Sequence, residues 1–159
     1  MNENKDYKNA FEIAKNKLKD VHINYDNIDF YEYKTREEFN KKYRKLLSKN
    51  PEGNWIVGFA CSSSKFRRFI LKKIGEVHII SKEVFKKEAE FKNYYFNVLV
   101  HEISHIFLWF SSINESFHEY LCYYIANQRR YHKNEYKKGR KIFNLLNKNS
   151  MIQKSFSRV

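Results

Sequence analysis

The pentapeptide HEISH at residues 101–105 places two imidazoles and one carboxylate where they can act together. On a helix, residues four apart lie one turn apart on the same face, so His101 and His105 can present their rings to a single metal ion. Glu102 points about 100° around the helix, close enough to act on a metal-bound water. A catalytic zinc ion needs this division: protein ligands, an open position for water and a carboxylate that accepts the water's proton. We therefore expect Zn²⁺ as the cofactor and Glu102 as the catalytic base.

A third ligand is expected from the segment that follows, because two histidines leave a catalytic zinc site incomplete. Glu115 and Glu119 are four residues apart and share one face of the next predicted helix. One of them can bind the metal while the other accepts a hydrogen bond from the free N–H of an imidazole. The chain after His105 is long enough to bring Glu115 to the metal, whereas a hairpin turning near Ser112 would put Glu119 level with His105. Both glutamates stay open as the third ligand.

Other side chains near this segment are weaker candidates. His118 is a less favoured metal ligand, and we interpret it as a pocket residue that donates to an oxyanion. Tyr123 is a candidate for the same transition-state stabilisation, as are Tyr120 and Tyr124, although aromatic rings at helical spacing usually belong to a core. His78, in a predicted edge strand, could line a substrate cleft.

Asn114-Glu115 followed by Glu119-Tyr120 resembles the N-E-x-x-x-(D/E) element that follows HExxH in gluzincin metallopeptidases, the thermolysin-like and aminopeptidase-like zincins. The chain is also similar to the shortened minigluzincins and to small HExxH proteins of phages and mobile elements. The resemblance covers residues 94–124, while the first 50 residues match no pattern of this family.

The resemblance implies a role for each residue of the motif. Glu102 is then the general base, and Glu119 orients one of the two histidines. The implied zinc ligands are His101, His105 and Glu115. Only residues 106–114 separate the second histidine from Glu115, a shorter interval than gluzincins commonly have.

Hydrophobic spacing predicts the elements that must position these residues. A helix is predicted after Thr35, which forms a capping box with Glu38. Further helices are predicted at 5–20, 93–110, 114–128 and 135–146. Strands are predicted at 28–33, 55–60, 66–71 and 77–80. The resemblance implies that the last of these strands lies at the sheet edge, where an extended substrate would pair with it.

This order predicts an α+β fold, a small zincin-like domain with a short mixed or antiparallel sheet packed on a buried HExxH helix and followed by further helices. The chain reads as a single domain over residues 1–148. Residues 149–159 are predicted to form a frayed tail.

Composition limits the classes of partner. The chain has 159 residues and a formal net charge of +13, but its basic residues are scattered, so we expect a solvated surface and no nucleic-acid partner. Cys61 and Cys122 lack the CxxC spacing of zinc ribbons and redox motifs. The longest apolar run, residues 106–110, is too short for a bilayer, and the first residues lack the apolar segment of a secretory signal. We expect a cytoplasmic protein without a membrane partner.

The predicted function is that of a zinc-dependent metallopeptidase acting on a peptide or protein substrate. Two alternatives stay open, a non-catalytic zinc-stabilised protein-binding module and a basic nucleic-acid-binding domain. The sequence leaves the oligomeric state and the cleavage specificity undetermined.

Overall fold

The computed structural model describes residues 5–18, 23–51, 56–88, 94–109, 114–128 and 134–148. Its elements alternate helices and strands in the first half and are all helical in the second. The strands are β1 (Ile28–Tyr33), β2 (Gly58–Ser62) and β3 (Gly75–Ile80). The helices are α1 (Lys5–Leu18), α2 (Arg36–Leu47), α3 (Lys65–Leu71), α4 (Lys82–Glu88), α5 (Tyr95–Leu108), α6 (Glu115–Ile125) and α7 (Asn134–Lys148). This confirms the α+β class.

The three strands form one mixed sheet in the order β1-β3-β2. β3 pairs in parallel with β1, placing Tyr31 beside His78, and antiparallel with β2, placing Phe59 on its other side. All six residues of β3 are buried, as expected for a strand with neighbours on both edges and cover on both faces. The prediction that residues 77–80 form an edge strand is therefore wrong, because β3 is the central strand.

Helix α5 lies against one face of the sheet, where glycine allows close approach. A Cβ on Gly58 would lie 3.0 Å from Val98 Cγ1, and one on Gly75 would lie 2.7 Å from Ile106 Cδ1. α1 packs on the same helix, for example through Phe11, whose ring centroid is 5.3 Å from that of Phe107. α5 is buried nearly all round, as its uniformly apolar sequence predicts.

Helix α2 covers the opposite face of the sheet. Thr35 caps it by accepting a hydrogen bond from the Glu38 backbone N–H, which confirms the predicted start. Phe39 of α2 is fully buried and packs edge-on against Phe59 and Tyr33. The sheet is thus enclosed between helices on both faces.

Two local predictions differ from the structure. Residues 66–71 form part of helix α3, not a strand; Ser64 caps that helix by accepting a hydrogen bond from the Arg67 N–H. A short apolar run has no periodicity that distinguishes a strand from a helix, so its secondary structure depends on the cap and on tertiary contacts. α4 was not predicted; it begins after Ser81, whose hydroxyl accepts a hydrogen bond from the Val84 N–H.

The other observed elements begin and end within a few residues of their predicted bounds. β2 spans Gly58–Ser62 where 55–60 was predicted, and Trp55 lies outside the described residues. The predicted tail at 149–159 also lies outside them. No helix in the described ranges has both the length and the apolar content needed to span a bilayer.

Candidate metal centre

Helices α5 and α6 bring three ligand-type side chains to one point. His101 and His105 lie one turn apart on α5, and Glu119 lies on the second turn of α6. The two histidine Nε2 atoms are 3.1 Å apart. Glu119 Oε1 is 3.7 Å from His101 Nε2, and Glu119 Oε2 is 3.3 Å from His105 Nε2. Both histidines thus turn the same ring nitrogen toward the same carboxylate.

These distances fit the ligand set of a zinc ion. Zn–N and Zn–O bonds of about 2.0–2.2 Å in a tetrahedron place neighbouring ligand atoms about 3.3–3.6 Å apart. The three observed separations, 3.1, 3.3 and 3.7 Å, lie around that range. Two neutral imidazoles and one carboxylate form a borderline-soft set that suits zinc and leaves a coordination position for water. The residues present therefore fit the expected cofactor.

Burial keeps the His105 imidazole in the form that binds a metal. It lowers the pKa of His105 to about 4. The ring is then neutral near pH 7, and a neutral imidazole is the form that binds metal. An ion can therefore bind this ring without displacing a proton from the nitrogen that binds it.

Glu115 is not brought to this point. It lies exposed at the first turn of α6, and it belongs to none of the groups of potential metal ligands among the described residues. Glu115 and Glu119 share a helix face and lie about 6 Å apart along the axis, and the packing of α6 on α5 brings Glu119 to the Nε2 atoms of both histidines. Glu119 is therefore the glutamate placed where it could act as a ligand, whereas the resemblance gave that role to Glu115 and made Glu119 the residue that orients a histidine.

His118 lies behind His105 and does not line the cavity described below. Its Nε2 is 3.3 Å from His105 Nδ1. Burial, and then the positive charge that His105 can carry, lowers the pKa of His118 to about 4, so this ring is neutral as well. His105 Nδ1–H can then donate to His118 Nε2, which leaves the His105 Nε2 lone pair directed at the metal position. The geometry favours orientation of a ligand over the predicted contact with an oxyanion.

Cys122 forms another group of potential metal ligands with His105 and His118. Its thiol is fully buried. Burial, followed by the negative charges of Glu119 and Glu102, raises its pKa well above the usual range. Cys122 does not line the cavity beside the two histidines, so we interpret it as a packing residue of α6.

Glu102 reaches the same cavity as the two histidines. The cavity has a volume of about 310 Å³, and Glu102 is buried in its wall with 8% of its surface exposed. Gly58 of β2 lies directly against it, since a Cβ there would be 3.1 Å from Glu102 Cγ. The carboxylate predicted from the sequence as the catalytic base thus shares one open space with the group of potential metal ligands.

The predicted tyrosines divide into one at the site and two that pack on α7, of which Tyr120 is buried and Tyr124 is exposed. The Tyr123 ring packs on His101, with centroids 4.4 Å apart, and lines the cavity. Tyr120 packs among Tyr136 and Phe143, and Tyr124 contacts the same phenylalanine ring. Tyr123 alone among them stays a candidate transition-state stabiliser.

The strand that lines the cavity is β2, not β3. Residues 56–60 line the cavity together with His101 and Glu102. His78 is fully buried in β3 and lies outside the cavity lining, so the sequence interpretation of a cleft histidine is wrong. This wall was not predicted from the sequence, although Gly58 within an apolar run is a signal of close backbone approach.

No family model, curated protein or solved structure matches this chain.

Proposed function

We propose that this protein is a zinc-dependent hydrolase that cleaves peptide bonds, with His101, His105 and Glu119 as the metal ligands and Glu102 as the general base. The observation that carries the proposal is the convergence of three donor side chains at the wall of an open cavity that also holds Glu102. A closed structural site would have no use for a carboxylate in that position. The zincin-like character of the fold belongs to the same proposal.

A bound zinc ion would supply a Lewis acid for the substrate carbonyl and lower the pKa of a water toward about 7. The chain's own residues do the proton work. Glu102 accepts a proton from the attacking water and delivers it to the departing amine. His118 holds the His105 ring in one orientation through the Nδ1 contact of 3.3 Å. Packing of Tyr123 on His101 restricts that second ring in the same way.

The substrate chain is expected to lie along β2. In the described part of the sheet β2 pairs only with β3, so its other edge offers backbone N–H and C=O groups. Residues 56–60 of this edge region line the cavity beside Glu102. An extended peptide can add to such an edge through main-chain hydrogen bonds, which places its carbonyls near the metal position.

The first experiment compares Glu102→Gln with Glu12→Gln, a matched change at an exposed position on α1. Each zinc-loaded protein is assayed on casein and on a fluorogenic peptide library, and its zinc content is measured. We expect Glu102→Gln to retain zinc and lose roughly 10²–10⁴-fold in hydrolysis, the usual size of a general-base contribution. Glu12→Gln should match the parent.

Two results would overturn the proposal. One is undiminished hydrolysis by Glu102→Gln, which would remove the general base. The other is a parent protein that binds zinc and cleaves none of these substrates, which would favour a zinc-stabilised binding module.

A further inference from the structure

A second group of ligand-type side chains lies on the sheet face turned away from α5. Cys61 on β2 and Glu76 and His78 on β3 hold a thiol, a carboxylate oxygen and an imidazole nitrogen within 4.8 Å of one another. Cys61 is the register partner of Glu76 across the strand pair. Since side chains alternate along a strand, Glu76 and His78 share a face, and Gly75 faces Ile106 of α5 on the other.

The separations suit a metal ion with mixed sulfur, nitrogen and oxygen ligands. His78 Nε2 is 3.2 Å from Glu76 Oε2 and 3.6 Å from Cys61 Sγ. With a Zn–S bond of about 2.3 Å and Zn–N or Zn–O bonds of about 2.0–2.2 Å, a tetrahedron gives ligand separations of about 3.3–3.6 Å for N and O and about 3.5–3.7 Å to sulfur. The same nitrogen therefore meets both partners at nearly the separations that a shared ion requires.

The His78 ring is held in place by its neighbours. It is fully buried between Tyr31 and Phe59, with ring centroids 4.8 and 4.5 Å away and interplanar angles of 7° and 11°. Its Nδ1 is 2.8 Å from Tyr33 Oη. When Nδ1–H donates to that hydroxyl, Nε2 carries the lone pair and points at Glu76 and Cys61. A metal-binding histidine usually has such a partner on its other nitrogen.

The charges around the group leave one carboxylate oxygen for an ion. Arg67 binds Asp29 and, at 3.4 Å, Glu76 Oε1, so Oε2 is the oxygen that faces the group. Burial and the charge of Glu76 raise the pKa of the Cys61 thiol to about 11. A divalent ion would displace the thiol proton, and one dication with one thiolate and one carboxylate is a neutral set. Neutrality is what a buried site favours.

An ion can reach the group from solvent. Cys61 is half-buried and lines a cavity of about 530 Å³ beside Ser62 and Arg68. The deeper ligands, Glu76 and His78, lie behind it. The thiol is thus the natural point of entry.

We propose that Cys61, Glu76 and His78 form a second metal site, for a thiophilic divalent ion of the zinc class. It lies on the sheet face opposite α5 and shares no ligand with the group formed by His101, His105 and Glu119. Because the two groups share no ligand, the proposal is independent of the hydrolase function. A bound ion here would join β2 to β3 behind the cavity wall.

Cobalt titration of the full chain tests this site directly, because thiolate-bound Co²⁺ has a near-ultraviolet charge-transfer band that histidine and carboxylate ligands do not produce. The chelator-treated protein is titrated with Co²⁺ under reducing conditions. We expect a thiolate band in the parent that saturates by two equivalents per chain, because the His101–His105–Glu119 group can take up the other equivalent, and that is lost in Cys61→Ser. Cys122→Ser, the matched control at the other cysteine, should retain the band.

Glu119→Gln should also retain the band, which separates failure of this site from failure of the proposed catalytic site. Absence of the band in the parent, its survival in Cys61→Ser or its loss in Cys122→Ser would each overturn the proposal. As a test that does not depend on the folding of Cys61→Ser, alkylation of Cys61 by iodoacetamide is followed in the chain without substitutions. Zn²⁺ should slow it at least tenfold, and an unchanged rate would contradict a metal–thiolate bond.

Discussion

The two histidines of α5 have the same residue type but different surroundings. His101 is buried under the Tyr123 ring, whereas His105 is half-buried and contacts His118 through Nδ1. Glu119 spans them, with one carboxylate oxygen facing each ring. Each ring is therefore held from behind by a different aromatic side chain and meets the same carboxylate in front.

Glu119→Gln and Glu115→Gln make a matched pair on α6. The amide has nearly the same shape as the carboxylate but lacks its charge, so we expect Glu119→Gln to lose zinc affinity by more than the roughly 10–100-fold that an outer partner costs. Glu115→Gln should bind zinc like the parent. Competition with a chromogenic chelator measures both, and the reverse ranking would restore Glu115 as the ligand.

His118 is expected to act on affinity through His105. His118→Phe removes the acceptor for His105 Nδ1–H and should weaken zinc binding about 10–100-fold. His118→Gln, which keeps an acceptor, should recover much of that loss. The same competition assay reports both values. Equal affinities for the two variants would show that the contact of 3.3 Å does not orient His105.

α6 is positioned between α5, which carries the histidines, and α7, which packs on its outer side. Gly139 of α7 allows α7 to approach α6 closely, because a Cβ there would lie 2.1 Å from the Ser116 backbone oxygen and 2.4 Å from Tyr120 Cβ. Tyr120 packs on Phe143 and Tyr136 of α7 in the same interface. The helix that supplies Glu119 is thus fixed from behind by α7.

Gly139→Ala should destabilise the protein, against the usual preference for alanine in helices. Helix propensity alone would favour alanine by about 1 kcal/mol. The clash is with backbone, which cannot rotate away, and overpacking of this kind costs about 1–3 kcal/mol or more. Urea unfolding of the zinc-free protein measures the net change. A control, Asn144→Ala at an exposed α7 position, should be neutral or slightly stabilising, and a stabilised Gly139→Ala would contradict the packing of α7 on α6.

Folding of the chain brings together ligands from separate helices, so zinc should bind the folded protein far better than the unfolded one. Such binding adds RT ln(1 + [L]/Kd) to the free energy of unfolding, about 2.7 kcal/mol when free zinc is 100 times Kd. We therefore expect metal affinity and thermal stability to be linked in this protein.

Removal of zinc should lower the melting temperature of the parent. The shift between zinc-loaded and chelator-treated protein, measured by circular dichroism, is expected to be clearly smaller in Glu119→Gln, because one of its donors is gone. Glu115→Gln should show the full shift. Equal shifts of the melting temperature in all three proteins would show that the stabilising zinc ion does not bind at His101, His105 and Glu119.

Much of the architecture was predictable from local patterns. The buried helix, the strand at 28–33, the cap at Thr35 and the α+β class are confirmed, because hydrophobic periodicity and capping depend on neighbours a few residues apart. The strand predicted at 66–71 is a helix and the central position of β3 was not foreseen, since a short apolar run specifies neither its type nor its neighbours in a sheet.

The same division holds at the candidate site. Helical geometry alone places His101 and His105 one turn apart with Glu102 beside them, because the repeat of a helix is a local property of the backbone. Whether Glu119 or Glu115 lies beside the two histidines depends on the offset between α6 and α5 along their axes. That offset is set by side-chain packing between the helices. The meeting of Cys61 with His78 likewise depends on strand register, which long-range pairing sets.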